Sequence, residues 1–211
     1  MVVRLYRDEM PVGLDGLAAV PAGSFFQTTV WLRALHLAEP RYRPWVVAAE
    51  DADGSLLGAC PLVAVRRFGM VRLYAGALGT YGGIVAHSAS AAAAVWGELE
   101  HLARSARVLL VRIHDFATSL EGSGAASPAW RREPETCQVL DLADDPQELF
   151  RGALTSRNRN KIRKAEKLGV RVRRARDPAA LGRYAQLYRE SAARWGLKRR
   201  LPEALFHALA E

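Results

Sequence analysis

The cations of this chain are concentrated where they could meet an anion. Residues 151–200 hold 17 Lys and Arg against three acids (Glu166, Asp177 and Glu190), whereas the whole 211-residue chain has a formal net charge of +8. The rest of the chain is therefore net acidic, and that asymmetry points to a local anion-binding face. Within the segment, 156–168 reads as a helix. Helical geometry sets Arg157, Lys161 and Lys164 on one flank of a thin apolar stripe (Leu154, Asn158, Ile162, Ala165, Leu168). Arg159, Arg163 and Lys167 fall on the other flank. Such a surface suits phosphate groups or a nucleic-acid backbone, each contact adding salt-dependent affinity. The plainer reading is a solvated basic face. No aromatic residue interleaves the cations, so stacking on bases is not indicated.

A second basic group, Lys198, Arg199 and Arg200, follows Gly196, which should end a helix. Cations at a helix C-terminus complement its dipole, but three in succession exceed that need, and a guanidinium there could clamp a phosphate bidentately. Other chemistry is sparse. His36, His87, His101, His114 and His207 form no i, i+4 pair. His114-Asp115, at a strand end, would suit a general base or simply edge a loop. Gly79-Thr80-Tyr81-Gly82-Gly83 either shapes a cleft or turns the chain tightly. Cys60 and Cys137 sit in apolar, strand-like runs and read as two buried thiols of a reducing compartment, with no metal site. No Ser-His-Asp or Cys-His arrangement is present. The glycine loop that holds coenzyme A pyrophosphate, Arg/Gln-x-x-Gly-x-Gly/Ala, is approached only by Arg66-Arg67-Phe68-Gly69-Met70-Val71, with a bulky last residue.

The elements that must position these groups follow from pattern. Residues 25–37 carry Phe26, Val30, Trp31, Ala34 and Leu37 at near-helical spacing. Two apolar runs flank Asp51-Ala52-Asp53-Gly54, predicting a hairpin over 45–65. A further strand pair is expected over 70–87, broken by glycines. Ser88 or Ser90 caps a helix to about Ala106 with Val95, Leu99 and Leu102 inward, and 108–113 reads as a buried strand. The patternless stretch from 116 reads as a linker. Beyond it come a strand at 136–142, a helix at 146–154 and the basic helix, stopped by Gly169. A strand at 170–174, a helix at 177–194 and a last helix from Pro202 complete the pattern. The expectation is a mixed α/β (α+β) fold: a first domain at 1–115, a linker at 116–135 and the start of a second domain at 136–211. No apolar run approaches the ~18–20 residues that span a bilayer, and the N-terminus lacks a signal-peptide pattern. A cytoplasmic location is expected.

Taken in order, FFQTTVWLRAL (25–35), the hairpin and glycine-marked strand of 46–85, SRNRNKIRKAEKLGVRV (156–172) and LYRESAARWGLKRRLPEALFHAL (187–209) resemble the FemAB-type aminoacyltransferases of the GNAT superfamily. The similarity covers nearly the whole chain. It implies two GNAT-like domains, each a mixed sheet flanked by helices. It also implies transfer of an acyl or aminoacyl group to an amine on a cell-envelope precursor, of peptidoglycan or polysaccharide. No permanently bound cofactor is implied; the donor would be aminoacyl-tRNA or acyl-CoA. The implied partners are a nucleotide-sugar or lipid-linked phosphate-bearing precursor, tRNA, and peripheral contact with a membrane surface.

The family's Arg-x-Gly stretch before a proline, whose arginine contacts the precursor diphosphate, is matched by Arg194, Gly196, Arg200 and Pro202. The resemblance thus implies Arg200, with Arg199 and Lys198, as substrate-binding. After Trp31 the family uses a lysine; here Arg33 is the nearest cation, and Trp31, Arg33 and Tyr81 of the glycine loop are further candidates for substrate binding. In the basic helix Lys161 replaces a frequent Asn, which favours looser relatives over strict peptidoglycan-bridge enzymes. Against the family pattern the chain stops inside its last helix, so a truncated member with an incomplete second domain is expected. The alternatives are a CoA-dependent GNAT N-acetyltransferase, a non-catalytic nucleic-acid-binding module and an inactive fragment.

Overall fold

A computed structural model describes residues 1–20, 23–115, 130–137, 139–142, 144–175, 177–197 and 200–210. The strands are β1 (Val2–Arg7), β2 (Tyr42–Glu50), β3 (Leu56–Arg67), β4 (Met70–Ala75), β5 (Val85–Ala86) and β6 (Val108–Ile113). The helices are α1 (Leu14–Ala18), α2 (Thr29–Ala38), α3 (Ala89–Arg104), α4 (Pro146–Glu148), α5 (Ser156–Lys167), α6 (Pro178–Arg194) and α7 (Glu203–Ala208). Two compact units result: Met1–Ser127 with Asp177–Glu211, and Pro128–Arg176.

The first unit is built on a mixed sheet of order β1-β2-β3-β4-β6, with β5 also paired to β3. All pairings are antiparallel except β4 with β6. Central β2 and β3 show no alternation of buried and exposed residues; from Trp45 to Glu50 and from Gly58 to Ala64 every residue is buried. That pattern requires helices on both faces. Side chains alternate along a strand, so Val46, Ala48, Ala59 and Val63 share one face. There they pack with Leu14 and Leu17 of α1, Trp31, Leu32 and Leu35 of α2, and Leu205 of α7. The other face lies under α3. Gly58 points that way, and a β-carbon on it would approach the Ala91 β-carbon to 3.3 Å, so the missing side chain lets α3 sit close. Ser88 accepts a hydrogen bond from the Ala91 N–H and starts α3, while Val95, Leu99 and Leu102 are buried beneath it.

Several elements differ from the sequence expectation. The predicted strand pair over 70–87 does not pair with itself. Instead β4 takes Val63–Arg67 of β3 and β5 takes Gly58–Ala59 further along the same edge. Strand β6 is half-buried rather than buried, since it forms the end of the sheet. Cys60 is buried but Cys137 is exposed. The described residues of 136–142 and the stretch 170–174 are irregular and largely exposed. Apolar alternation alone does not make a strand; its N–H and C=O groups need a neighbouring strand, and among the described residues these segments have none. The compact units also divide the chain differently from a cut at 116–135. Helices α6 and α7 belong with residues 1–127, because Leu205 is buried in the α1–α2 core. Among the described residues, no helix is long and apolar enough to cross a membrane.

Leu205 is only 1% exposed, so Leu205→Ala is expected to lower the stability of the first unit by about 2–5 kcal/mol, read as a lower urea midpoint. Burial and the nearby Asp115 carboxylate push the Cys60 thiol above its ordinary range. An aromatic disulfide reagent should therefore titrate one thiol in the native chain, Cys137, and two after denaturation.

Candidate functional site

The parallel pair β4–β6 ends at a glycine loop, and in open α/β sheets ligands bind beyond the carboxyl ends of such strands. Between β4 and β5 the chain leaves the edge of β3 at Gly76 and returns at Val85. Gly76 has φ +83°, and a β-carbon there would lie 2.6 Å from the Thr80 carbonyl oxygen and 3.0 Å from the His114 β-carbon. Gly83 has φ +138°, and its β-carbon would meet Asp115 Oδ1 at 3.0 Å. Only glycine fits this path. The backbone of His114 clamps the loop at both ends: its N–H donates to the Ala75 carbonyl (3.0 Å) and its carbonyl accepts from the Gly82 N–H (2.7 Å). The His114-Asp115 pair thus joins the glycine loop, with Asp115 against Gly83 and close enough to Cys60 to raise the thiol's pKa.

A second clamp was invisible in the sequence. Gln27, 3% exposed, donates from Nε2 to the Gly83 carbonyl at 3.1 Å and accepts from Ser24 Oγ at 3.0 Å. It fastens the loop to the 3₁₀ turn Phe25–Gln27, which leads into α2 through the Thr28 cap. The signal was a polar residue directly after two phenylalanines and ahead of a helix, and nothing local named its partner 56 positions away.

Trp31 and Tyr81 come together through Phe26. The Phe26 ring stands edge-on to Tyr81 (5.1 Å between centroids) and to Trp31 (5.2 Å), and Phe25 lies 5.9 Å from Trp31. Their roles differ by exposure. Trp31 is 5% exposed and backs the wall from the core, while Tyr81 (41%) and Phe25 (50%) face solvent. Arg33 is on the exposed side of α2 with no ion pair among the described residues.

Arg200 is held by a helix-loop-helix. Gly196 turns the chain after α6 at φ +67°, and the Leu197 N–H returns to the Ala192 carbonyl at 3.0 Å. The Leu201 N–H donates to Tyr188 Oη at 3.0 Å, and Arg189 pairs with Glu203 at 3.1 Å. Phe206 of α7 meets Tyr184 and Tyr188 edge-on. Leu201 and Leu78 pack on the core cluster that contains Trp31. Arg200 therefore leaves a pinned position, itself exposed and without an ion pair among the described residues. Lys198 and Arg199 lie outside the described residues.

In the second unit, helix α5 begins at Thr155, whose side chain accepts from the Asn158 N–H. The structure separates its two basic flanks. Arg159 donates to the Arg151 carbonyl (3.0 Å) and to that of Leu154, tying off the π turn Leu149–Ala153; Arg163 lies over the Phe150 ring at 5.5 Å. These two serve the local fold. On the opposite flank Arg157, Lys161 and Lys164, with Ser156 and Asn160, line a shallow surface cavity that contains no acid. Lys167 is exposed. The expected apolar stripe is barely covered within this unit: Leu154 and Ala165 are half-buried, while Asn158, Ile162 and Leu168 are exposed. Residues 66–71 form the β3–β4 hairpin turn, with Phe68 and Gly69 at positive φ, and not a loop leading into a helix N-terminus. Among the described residues, no group of three or more His, Cys, Asp or Glu could hold a metal ion.

No protein-family model and no curated protein sequence matches the chain. Among solved structures it is similar to a crystal structure of FemX, with a TM-score of 0.61 and 17% identity over 99% of this chain. At that identity the likeness is one of fold. The chain spans about half of the FemX chain, 54% of its length.

Gly76→Ala places a side chain against a carbonyl at a positive φ. It is expected to destabilise the first unit by about 1–3 kcal/mol in urea denaturation. Faster hydrogen exchange should be concentrated at the amides of 76–86.

Proposed function

We propose that the chain is part of a FemAB-type acyltransferase, and that it anchors a phosphate-bearing cell-envelope precursor whose amine receives an acyl or aminoacyl group. The observation that carries this reading is the FemX-like fold over 99% of the chain, in the same segments whose residues resemble that family. The geometry supports a division of labour. Arg200, projecting from a pinned helix-loop-helix, offers a fork of donors to a diphosphate. Tyr81 and Phe25 offer an aromatic wall for the apolar face of a sugar or peptide. Gly79 of the glycine loop is exposed near that wall, and Arg33 adds a cation on α2.

The free flank of α5, Arg157, Lys161 and Lys164, is the part suited to a longer polyanion, and aminoacyl-tRNA is the donor whose backbone it fits best. An acyl-CoA donor has less support in the first unit, since 66–71 is a hairpin turn without the helix N-terminus that would receive a pyrophosphate. The reaction would be attack of the acceptor amine on the activated carbonyl, with the developing oxyanion held by backbone donors. The setting would be cytoplasmic.

The test is calorimetric binding of a nucleotide-linked peptidoglycan precursor at low and high salt. Binding should weaken with salt, and Arg200→Ala should lower affinity by about tenfold or more, the equivalent of one charge-assisted hydrogen bond. Binding unchanged in Arg200→Ala would refute the anchoring role.

A further inference from the structure

The end of the sheet opposite the glycine loop holds a second concentration of cations, outside the basic segment of 151–200. Strands β1 and β3 end here and β2, β4 and β6 begin here, since Arg7 pairs with Trp45, Arg66 with Val71, and Val71 with Val108. On the face under α3 these ends enclose a cavity of about 370 Å³ whose lining includes Arg7, Arg66, Arg67 and Arg107 and no acid. Its floor is Trp45, 4% exposed. The guanidiniums of Arg7 and Arg66 lie 4.9 and 5.9 Å from the centre of that one indole. Stacking orients both groups, yet it also gathers like charges that repel unless an anion lies among them. Asp8, a carboxylate close enough to feel Arg66, is engaged elsewhere: its bond to Arg43 at 2.6 Å holds it below the usual carboxylate range, with Arg66 a smaller influence.

A plainer role exists for these cations. The last turn of α3 ends at this cavity with Leu102 and Ser105, and positive charge complements a helix C-terminus. Arg104 already sits in that turn, and the dipole does not require four further arginines on three different strand ends and turns.

We infer that this four-arginine cavity is a binding site for a phosphate-bearing anion, separate from the precursor site at the other end of the sheet. Its volume falls in the range of small-ligand pockets, ~300–1,000 Å³, and suits one or two phosphate groups rather than an extended strand. Two sources share that chemistry: a soluble nucleotide or sugar phosphate, and the headgroup of an anionic lipid. Phe68 bears on the second. It is 89% exposed at the hairpin tip, at φ 51°, with Arg67 over its ring at 4.9 Å. A bulky residue at positive φ and in solvent is doubly unfavourable there, whereas a bilayer interface would receive the ring while the arginines met phosphates.

The experiment compares the full chain with Arg66→Ala/Arg107→Ala, with Arg171→Ala/Arg173→Ala, two exposed arginines of the irregular stretch 170–174, as the control for general basicity. The probes are inorganic pyrophosphate in calorimetry and phosphatidylcholine vesicles, with and without phosphatidylglycerol, in flotation. The wild type is expected to bind pyrophosphate, anionic vesicles or both. The cavity double variant should lose about tenfold or more while the control stays within about twofold. Both pairs are exposed, and matching near-ultraviolet circular dichroism would confirm that the folds are equal. Vesicle binding by the wild type that Phe68→Ser loses with pyrophosphate binding retained assigns the lipid headgroup, and pyrophosphate binding by the wild type without vesicle binding assigns a soluble phosphate. Wild type binding neither probe, or a cavity variant binding as well as wild type, overturns the inference.

Discussion

The fold rests on the burial of β2 and β3 from both faces. Val46, Val47, Ala48, Ala49, Ala59, Cys60, Leu62 and Ala64 are all at or near zero exposure, so a polar group at the centre of the sheet is costly unless it is paired; the Trp45 indole N–H, buried at one end of this run, has no hydrogen-bond partner among the described residues. The buried carboxylate, Glu50, comes at the end of β2, where Arg4 pairs with it at 3.3 Å and Tyr6 donates a hydrogen bond. That bond, the largest influence on Tyr6, raises its pKa. Chemistry is therefore displaced to the ends of the strands. At one end lie the glycine loop, His114 and Asp115; at the other lie four arginines around Trp45.

The same constraint explains why the glycines of 76–83 sit where they do. With β4 and β5 sharing one edge of β3, the chain must leave the sheet and re-enter it within a few residues. His114, Asp115 and Gln27 close around that excursion from three sides. The aromatic wall of Phe25, Phe26, Trp31 and Tyr81 is a product of the same closure, because Gln27 fastens the loop to the turn that carries the two phenylalanines. In the second unit a comparable economy operates on charge. Arg159 and Arg163 are used to hold the turn before α5, which leaves the opposite flank as its free cationic surface.

Helix starts are set by local energetics, and of the caps observed Ser88 is the one the sequence named. The side chains of Thr28, Ser88, Thr155 and Asp177 all accept hydrogen bonds at helix starts, as hydroxyl and carboxylate residues do at N-caps. The turn at Asp51–Gly54 and the positive φ of Gly169 and Gly196 follow from the same kind of rule. Readings that required a distant partner fared differently. Residues 136–142 and 170–174 have the composition of strands, but pairing supplies a strand's stability and composition does not. The 70–87 segment has two strands as read, yet their common partner is β3. Cys137 was expected to be buried because its neighbours are apolar, and burial is a property of what packs against them.

By itself, the sequence determined the mixed α/β class, the helices other than α1, the Ser88 cap, the central hairpin and the placement of cations in 151–200. These are set by periodicity, side-chain capping and composition, which act over a few residues. Only the tertiary structure decided that Trp31 is a support while Tyr81 is a surface, and that α7 returns to the α1–α2 core. It also decided that Arg159 and Arg163 are occupied while Arg157, Lys161 and Lys164 are free. The cavity of Arg7, Arg66, Arg67 and Arg107 belongs to the same class. Its members are spread over 100 positions and meet because antiparallel register and one parallel pairing bring five strand ends to a common edge. Register is fixed by which face of each strand must be buried, and no short-range signal contains that information.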